Sequence, residues 1–179
     1  MGDNLLLSGP IPETIGRIEA LERFRASKSN LTGQIPANIG DASNLTIFQV
    51  DSNSLFGSIP TEVGSLTLLE SWNTQSNLLK GPLPSEMGLM TSLKLLFLRE
   101  NELSGSIPSS FGALTGLAQV DISANDFKDG ATNICVDDIS LTFYAADCYD
   151  QLVPPIARQI ECDCCTECCN EELSGCIEN

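Results

Sequence analysis

Two rhythms of apolar residues run through the first 127 positions of the chain. The short rhythm has a step of two, in the pairs Phe24 and Ala26, Phe48 and Val50, Trp72 and Thr74, Leu96 and Leu98, Val120 and Ile122. Alternation at period two marks a β-strand with one face buried. The long rhythm has a step of 24. The phrase Leu7-Ser8-Gly9-Pro10-Ile11-Pro12 returns at Leu31 to Pro36, Leu55 to Pro60, Leu79 to Pro84 and Leu103 to Pro108, so its last proline falls at 12, 36, 60, 84 and 108 without insertion or deletion. One strand per unit predicts a parallel sheet of five strands, about 20 Å wide at ~4.8 Å per strand.

Other slots in the unit are just as regular. Ile15, Ile39, Val63, Met87 and Phe111 fill one, and Leu21, Leu45, Leu69, Leu93 and Leu117 another. Each such side chain contributes roughly 1.5 to 3 kcal/mol when fully buried. A single unit cannot bury them, but a stack of units can. Two residues before each phrase stand Leu5, Ser29 and then Asn53, Asn77, Asn101 and Asn125. An inward amide there is expected to serve backbone groups of adjacent turns, a structural role. Gly16, Gly40, Gly64, Gly88 and Gly112 follow each proline by four residues and are expected at tight bends with positive φ. The prolines suit extended backbone, which leaves room only for short helical turns.

The unit Leu93-x-x-Leu96-x-Leu98-x-x-Asn101-x-Leu103-Ser104-Gly105-Ser106-Ile107-Pro108-x-x-Phe111-Gly112 resembles the plant-type leucine-rich repeat. The resemblance covers about residues 5 to 127. It implies an α/β fold, a right-handed solenoid with a concave parallel β-sheet and a second, convex extended segment. It also implies recognition of a protein, peptide or glycan, as in receptor-like kinase ectodomains and secreted polygalacturonase inhibitors. The chain departs from the pattern at Leu5 and Ser29, at Thr74 and Ala26 in strand slots, and at Ala42, where leucine is usual; these departures are expected to soften the packing.

The repeat is expected to end after Asn125-Asp126-Phe127, because Asp129 stands in the glycine slot and Ala131-Thr132 in the Ile-Pro slots. This divides the chain into a solenoid, 1–127, and an acidic cysteine-rich cap, 128–179. Ile139 to Tyr144 alternates and is expected to add an edge strand. All eight cysteines, Cys135, Cys148, Cys162, Cys164, Cys165, Cys168, Cys169 and Cys176, lie in the second part. An even number packed into so little apolar chain points to disulfides and an oxidising compartment, secreted or on the outer side of the cell surface. Zinc held by Cys165-x-x-Cys168 and its neighbours is the weaker alternative, and the pairing stays open. This ending is similar to the cysteine-rich ends of repeat proteins from microalgae such as diatoms.

Charge sharpens the division. Of the net −15, residues up to Asn125 carry −5 and the rest −10. Such a balance argues against a nucleic-acid partner. No run of 18 apolar residues exists, so no membrane span is expected. The amino end lacks a signal-peptide pattern, which suggests a mature fragment or part of a longer chain.

No histidine is present, and no paired carboxylates or Gly-rich phosphate cradle stand in for it, so neither an enzyme nor a cofactor is expected. The outward strand positions are the candidate ligand face: Arg23, Arg25, Gln49, Asn73, Leu95, Phe97, Arg99 and Asp121, with Leu95 and Phe97 expected to be exposed together. Asn30-Leu31-Thr32 and Asn44-Leu45-Thr46 are glycosylation sequons. The reading is an extracellular recognition module for a protein, peptide or glycan, with a co-receptor as a possible further partner. The alternatives are a fragment of a receptor-like kinase ectodomain, a secreted inhibitor of a carbohydrate-degrading enzyme, or a structural wall protein.

Overall fold

Each 24-residue unit closes one coil, passing through a strand, a left-handed step, a second strand and a 3-10 turn. The computed structural model describes residues 7–130, 133–134, 143–147, 167–169 and 176–178. In chain order the strands are β1 (Ser8–Pro10), β2 (Arg23–Arg25), β3 (Asn30–Gly33), β4 (Ile47–Gln49), β5 (Ser54–Gly57), β6 (Ser71–Asn73) and β7 (Leu78–Gly81). They continue as β8 (Leu95–Phe97), β9 (Glu102–Ser106), β10 (Gln119–Asp121), β11 (Asp126–Asp129), β12 (Phe143–Asp147), β13 (Glu167–Cys169) and β14 (Cys176–Glu178).

Two sheets result. The front sheet has the order β14-β13-β12-β10-β8-β6-β4-β2, parallel throughout except for the antiparallel β14. The second sheet has the order β1-β3-β5-β7-β9-β11. In the front sheet Arg23 pairs with Ile47, Ile47 with Ser71, Ser71 with Leu95 and Leu95 with Gln119, each a step of 24. Residues of one slot therefore stand in rows across the sheet.

Between the sheets lies a continuous core of leucine, isoleucine and aromatic side chains. Phe24, Phe48 and Trp72 stack in series, with centroids 5.7 and 4.7 Å apart. Buried indole needs an acceptor, and Trp72 Nε1 donates to Thr74 Oγ1 at 3.2 Å. Thr74 is thus no defect in its strand slot but the partner that the tryptophan requires. Ala42 fills the slot of Leu66, Met90 and Leu114 and is itself buried.

The 3-10 turns Glu13–Arg17, Ala37–Asp41, Thr61–Ser65, Ser85–Leu89 and Ser109–Ala113 each follow a proline with φ between −62° and −72°. Proline fits there because that position has no N–H to satisfy within the turn. The glycines inside the turns correct the sequence expectation. Positive φ belongs to Gly33, Gly57, Gly81 and Gly105 of the phrase, at 82° to 84°. Gly64 and Gly88 are instead required by contact: a Cβ on Gly64 would lie 2.5 Å from the carbonyl oxygen of Glu86, and one on Gly88 the same distance from that of Ser110. Gly64→Ala must push two turns apart. We expect it to lower the unfolding free energy by about 1–3 kcal/mol, as read by urea denaturation; a loss under 0.5 kcal/mol would show that the turns are not in rigid contact.

Strand pairing also runs on past residue 127. Strand β11 pairs with β9 through a register shift between Phe127 and Asp129, so Gly130, one residue late, takes the positive φ of 85°. Asn133 Nδ2 then donates to Ile107 O at 2.7 Å, and Ile134 is buried. The edge strand expected at 139–144 is found at Phe143–Asp147, with Phe143 paired to Gln119. The step of 24 overrides the local alternation. The front sheet accordingly crosses the expected boundary at 127. Cys135, Cys148, Cys162, Cys164 and Cys165 lie outside the described residues.

Candidate binding face

What the backbone leaves free on the front sheet depends on how its own polar groups are satisfied. Behind each front strand Lys28, Ser52, Ser76, Glu100 and Ala124 take left-handed backbone, with φ from 48° to 56°, and the chain then turns into the asparagine slot. Asn77 Nδ2 donates to Val50 O, Thr74 O and Gln75 O at 3.0, 3.1 and 3.2 Å, while its Oδ1 accepts from Leu55 N at 3.0 Å. Asn53, Asn101 and Asn125 repeat this in their own coils. Each amide ties its own turn to the preceding unit. Ser29, in the same slot, donates through Oγ to Ser27 O at 3.3 Å and makes no such bridge among the described residues.

With the backbone served from within, the outward strand positions are relieved of that duty. Arg23 and Arg25 are exposed on β2, and neither has a carboxylate within ion-pair distance among the described residues. Ile47 and Gln49 on β4, Asn73 on β6, and Leu95 and Phe97 on β8 are half-buried. Leu95 and Phe97 share one strand, but the flanking rows cover part of each.

Three candidate residues are already engaged. Asn73 Nδ2 donates to Asp51 Oδ1 at 3.3 Å, which also accepts from Ser27 Oγ at 2.5 Å, and Asn73 Oδ1 accepts from Gln75 N at 3.2 Å. Arg99 Nε donates to Glu100 Oε1 at 3.1 Å. Asp121 is buried, and its Oδ1 accepts from Ser123 N and Ser123 Oγ at 3.1 and 2.6 Å. These residues shape the face rather than offer spare hydrogen-bonding groups.

Glu100 accepts from Ser76 Oγ at 2.7 Å as well. That bond, then the one from Arg99, holds its carboxyl below the usual 4.5 against a small opposing effect of burial. A depressed folded value contributes stability above pH 4.5 that is lost as pH falls through the folded value. An NMR titration should place the Glu100 midpoint below 4.5, with Ser76→Ala moving it back up; a midpoint unaffected by that substitution would remove the hydroxyl as the cause.

One residue of the face escaped the candidate set. Ser71 Oγ is buried and, among the described residues, is the one buried side-chain polar atom without a hydrogen-bond partner. Its only sequence signal is a small side chain in the row Arg23, Ile47, Ser71, Leu95, Gln119. Among the described residues, too, no helix is long and apolar enough to cross a membrane, and no cluster of three His, Cys, Asp or Glu side chains is placed to hold a metal.

Residues 92–114 match the Leucine Rich Repeat family. This stretch is a leucine-rich repeat. Solved leucine-rich repeat structures extend the likeness over most of the chain. The ectodomain of the Arabidopsis thaliana receptor kinase GASSHO1/SCHENGEN3, in complex with CASPARIAN STRIP INTEGRITY FACTOR 2, is 26% identical over 80% of this chain and 18% of its own, with a TM-score of 0.73. The Arabidopsis receptor kinase HAESA, in complex with the peptide hormone IDA and the co-receptor SERK1, is 26% identical over 79% of this chain and 24% of its own, at 0.68. The ectodomain of SOBIR1 from Arabidopsis thaliana is 28% identical over 68% of this chain and 66% of its own, at 0.64. The chain thus spans about a fifth of the length of the first two structures. A search of curated protein sequences finds no match. The fold is a leucine-rich repeat solenoid of parallel strands in two sheets, and its neighbours are plant receptor ectodomains.

Proposed function

We propose that the chain is an extracellular, non-enzymatic recognition module whose front sheet docks an extended peptide segment, free or part of a larger protein. The observation that carries this reading is the presence of uncommitted groups on one face: the exposed arginines of β2 beside the half-buried Ile47 of β4, with the half-buried Leu95 and Phe97 of β8 farther across the same sheet. Nothing in the repeat requires them there. Two similar structures, each in complex with a factor or peptide hormone, support a peptide as the occupant. From β2 to β10 the face is ~19 Å wide, the span of about six extended residues. The arginines favour an acidic group at the end of the peptide that lies over β2.

The test is selection of displayed ten-residue peptides on the immobilised full chain. Enriched sequences should carry an acidic residue near one end and apolar residues beyond it. The double substitution Arg23→Glu with Arg25→Glu should weaken their binding tenfold or more; unchanged binding would move the site off this face.

The extracellular location rests on the cysteines, for which we propose disulfides. Cys169 and Cys176 are register partners across the antiparallel pair β13 and β14, which makes them the first pairing to look for by non-reducing peptide mapping. Peptides alkylated at both cysteines before reduction would remove it. Both sequon asparagines are exposed, Asn30 at the start of β3; Asn44 Nδ2 donates to Glu19 O at 2.8 Å and Thr46 Oγ1 to Glu22 O at 2.9 Å, bonds that glycosylation of Asn44 would disturb.

A further inference from the structure

We propose that Ser71 is the floor of a specificity subsite on the front sheet, taking a peptide side chain with an aliphatic body and a hydrogen-bonding tip, of the threonine kind. This rests on the front-face reading and names the position within it where one ligand residue is selected. Ser71 opens β6 and stands in register between Ile47 of β4 and Leu95 of β8. Its neighbours in that row are the longer aliphatic chains Ile47 and Leu95, and the short side chain between them is buried. Ile47 and Leu95 form apolar walls, with Gln49 and Phe97 two residues further along the same strands.

At the floor the hydroxyl is buried and has no partner. The backbone beside it is satisfied, since Ser71 N donates to Thr46 O at 3.2 Å. Asn73, the next outward residue of β6, is held by Asp51 and Gln75 N and is not turned toward it. A buried hydroxyl left unpaired costs the folded protein stability, and alanine would fill the same space without that cost. The cost is recovered when an incoming polar atom completes the hydrogen bond. Because the walls screen the hydroxyl from solvent, the ligand side chain reaches it by turning one half-buried wall aside. Such rotamer changes are common where partners meet.

Stability and binding must therefore move in opposite directions on Ser71→Ala. The full chain and this variant would be compared by thermal unfolding and by affinity for the best peptide from the displayed ten-residue library. Relative to the parent, Tm should rise by about 2–4 °C, and the affinity should fall about tenfold. The peptides selected by the parent should share one fixed threonine or serine that the variant no longer selects. A higher Tm with unchanged affinity overturns the subsite while leaving the front-face reading intact. A lower Tm overturns it as well, since the hydroxyl would then be satisfied in the folded protein. Peptides indifferent both to Ser71→Val, which removes the hydroxyl and adds bulk, and to charge reversal at Arg23 and Arg25 would overturn the subsite together with the front-face reading.

Discussion

Replacing Trp72 with alanine is expected to lower the unfolding free energy by about 3–5 kcal/mol, the usual cost of deleting a large aromatic side chain from a core. Trp72 is completely buried and stacks on Phe48, which stacks in turn on Phe24. Its removal opens a void at one end of the aromatic stack and leaves the Thr74 hydroxyl without its indole partner. In a solenoid each unit is held by its neighbours, so the loss weakens the coils on both sides. The chain has a single tryptophan, so the comparison should use circular dichroism in urea. Trp72→Phe keeps a ring for the stack but not the N–H, and should cost clearly less. A loss below 1 kcal/mol for the alanine variant would refute the stack as the centre of the core.

The second large effect is expected at Asn77. Alanine there removes four hydrogen bonds at once, three donated to carbonyls and one accepted from Leu55 N–H. Water does not readily reach the groups left behind, because the side chain they surrounded is itself buried. An unsatisfied buried group costs about 1–3 kcal/mol, and partial relaxation of the two coils keeps the sum below full additivity, at about 2–4 kcal/mol. Hydrogen exchange offers a local check: the Leu55 amide should lose protection far more than amides of β10. Equal loss at both positions would mean that the substitution acts globally rather than through the bond described.

The 24-residue step makes the fold readable from the sequence, because each slot of the unit has one physical duty. Prolines at 36, 60 and 84 mark where a turn begins, and apolar residues two apart mark the inward side of a strand. What stayed hidden were features that depend on contact between units. Gly64 was read as a bend because glycine usually signals backbone freedom, while its actual constraint is the carbonyl of Glu86 one coil away. Thr74 looked like a lapse in the pattern until its hydroxyl was seen beneath the indole. The one-residue delay that moves positive φ to Gly130 hid the continuation of the strand pairing.

The candidate face was legible as a set of rows and less so as chemistry. Sequence spacing gives which side chains point outward, but not that Asp121 is consumed by Ser123 or that Asn73 is held by Asp51. It also gave no reason to single out Ser71. The distinction between a spent polar group and an available one lies in pairwise distances, which no one-dimensional pattern contains.

A uniform register makes the coil a unit of length. Since the front strands from β2 to β12 pair with residues 24 positions away, excising residues 53–76 would join Ser52 to Asn77 and present each flanking coil with the same kind of neighbour as before. Cutting 23 or 25 residues would leave the coil at the junction one residue out of register with its neighbour. Gene duplication or deletion in whole coils can therefore lengthen or shorten the front sheet in ~4.8 Å increments. The footprint of a partner becomes a quantity that recombination tunes in discrete steps while the stack remains closed.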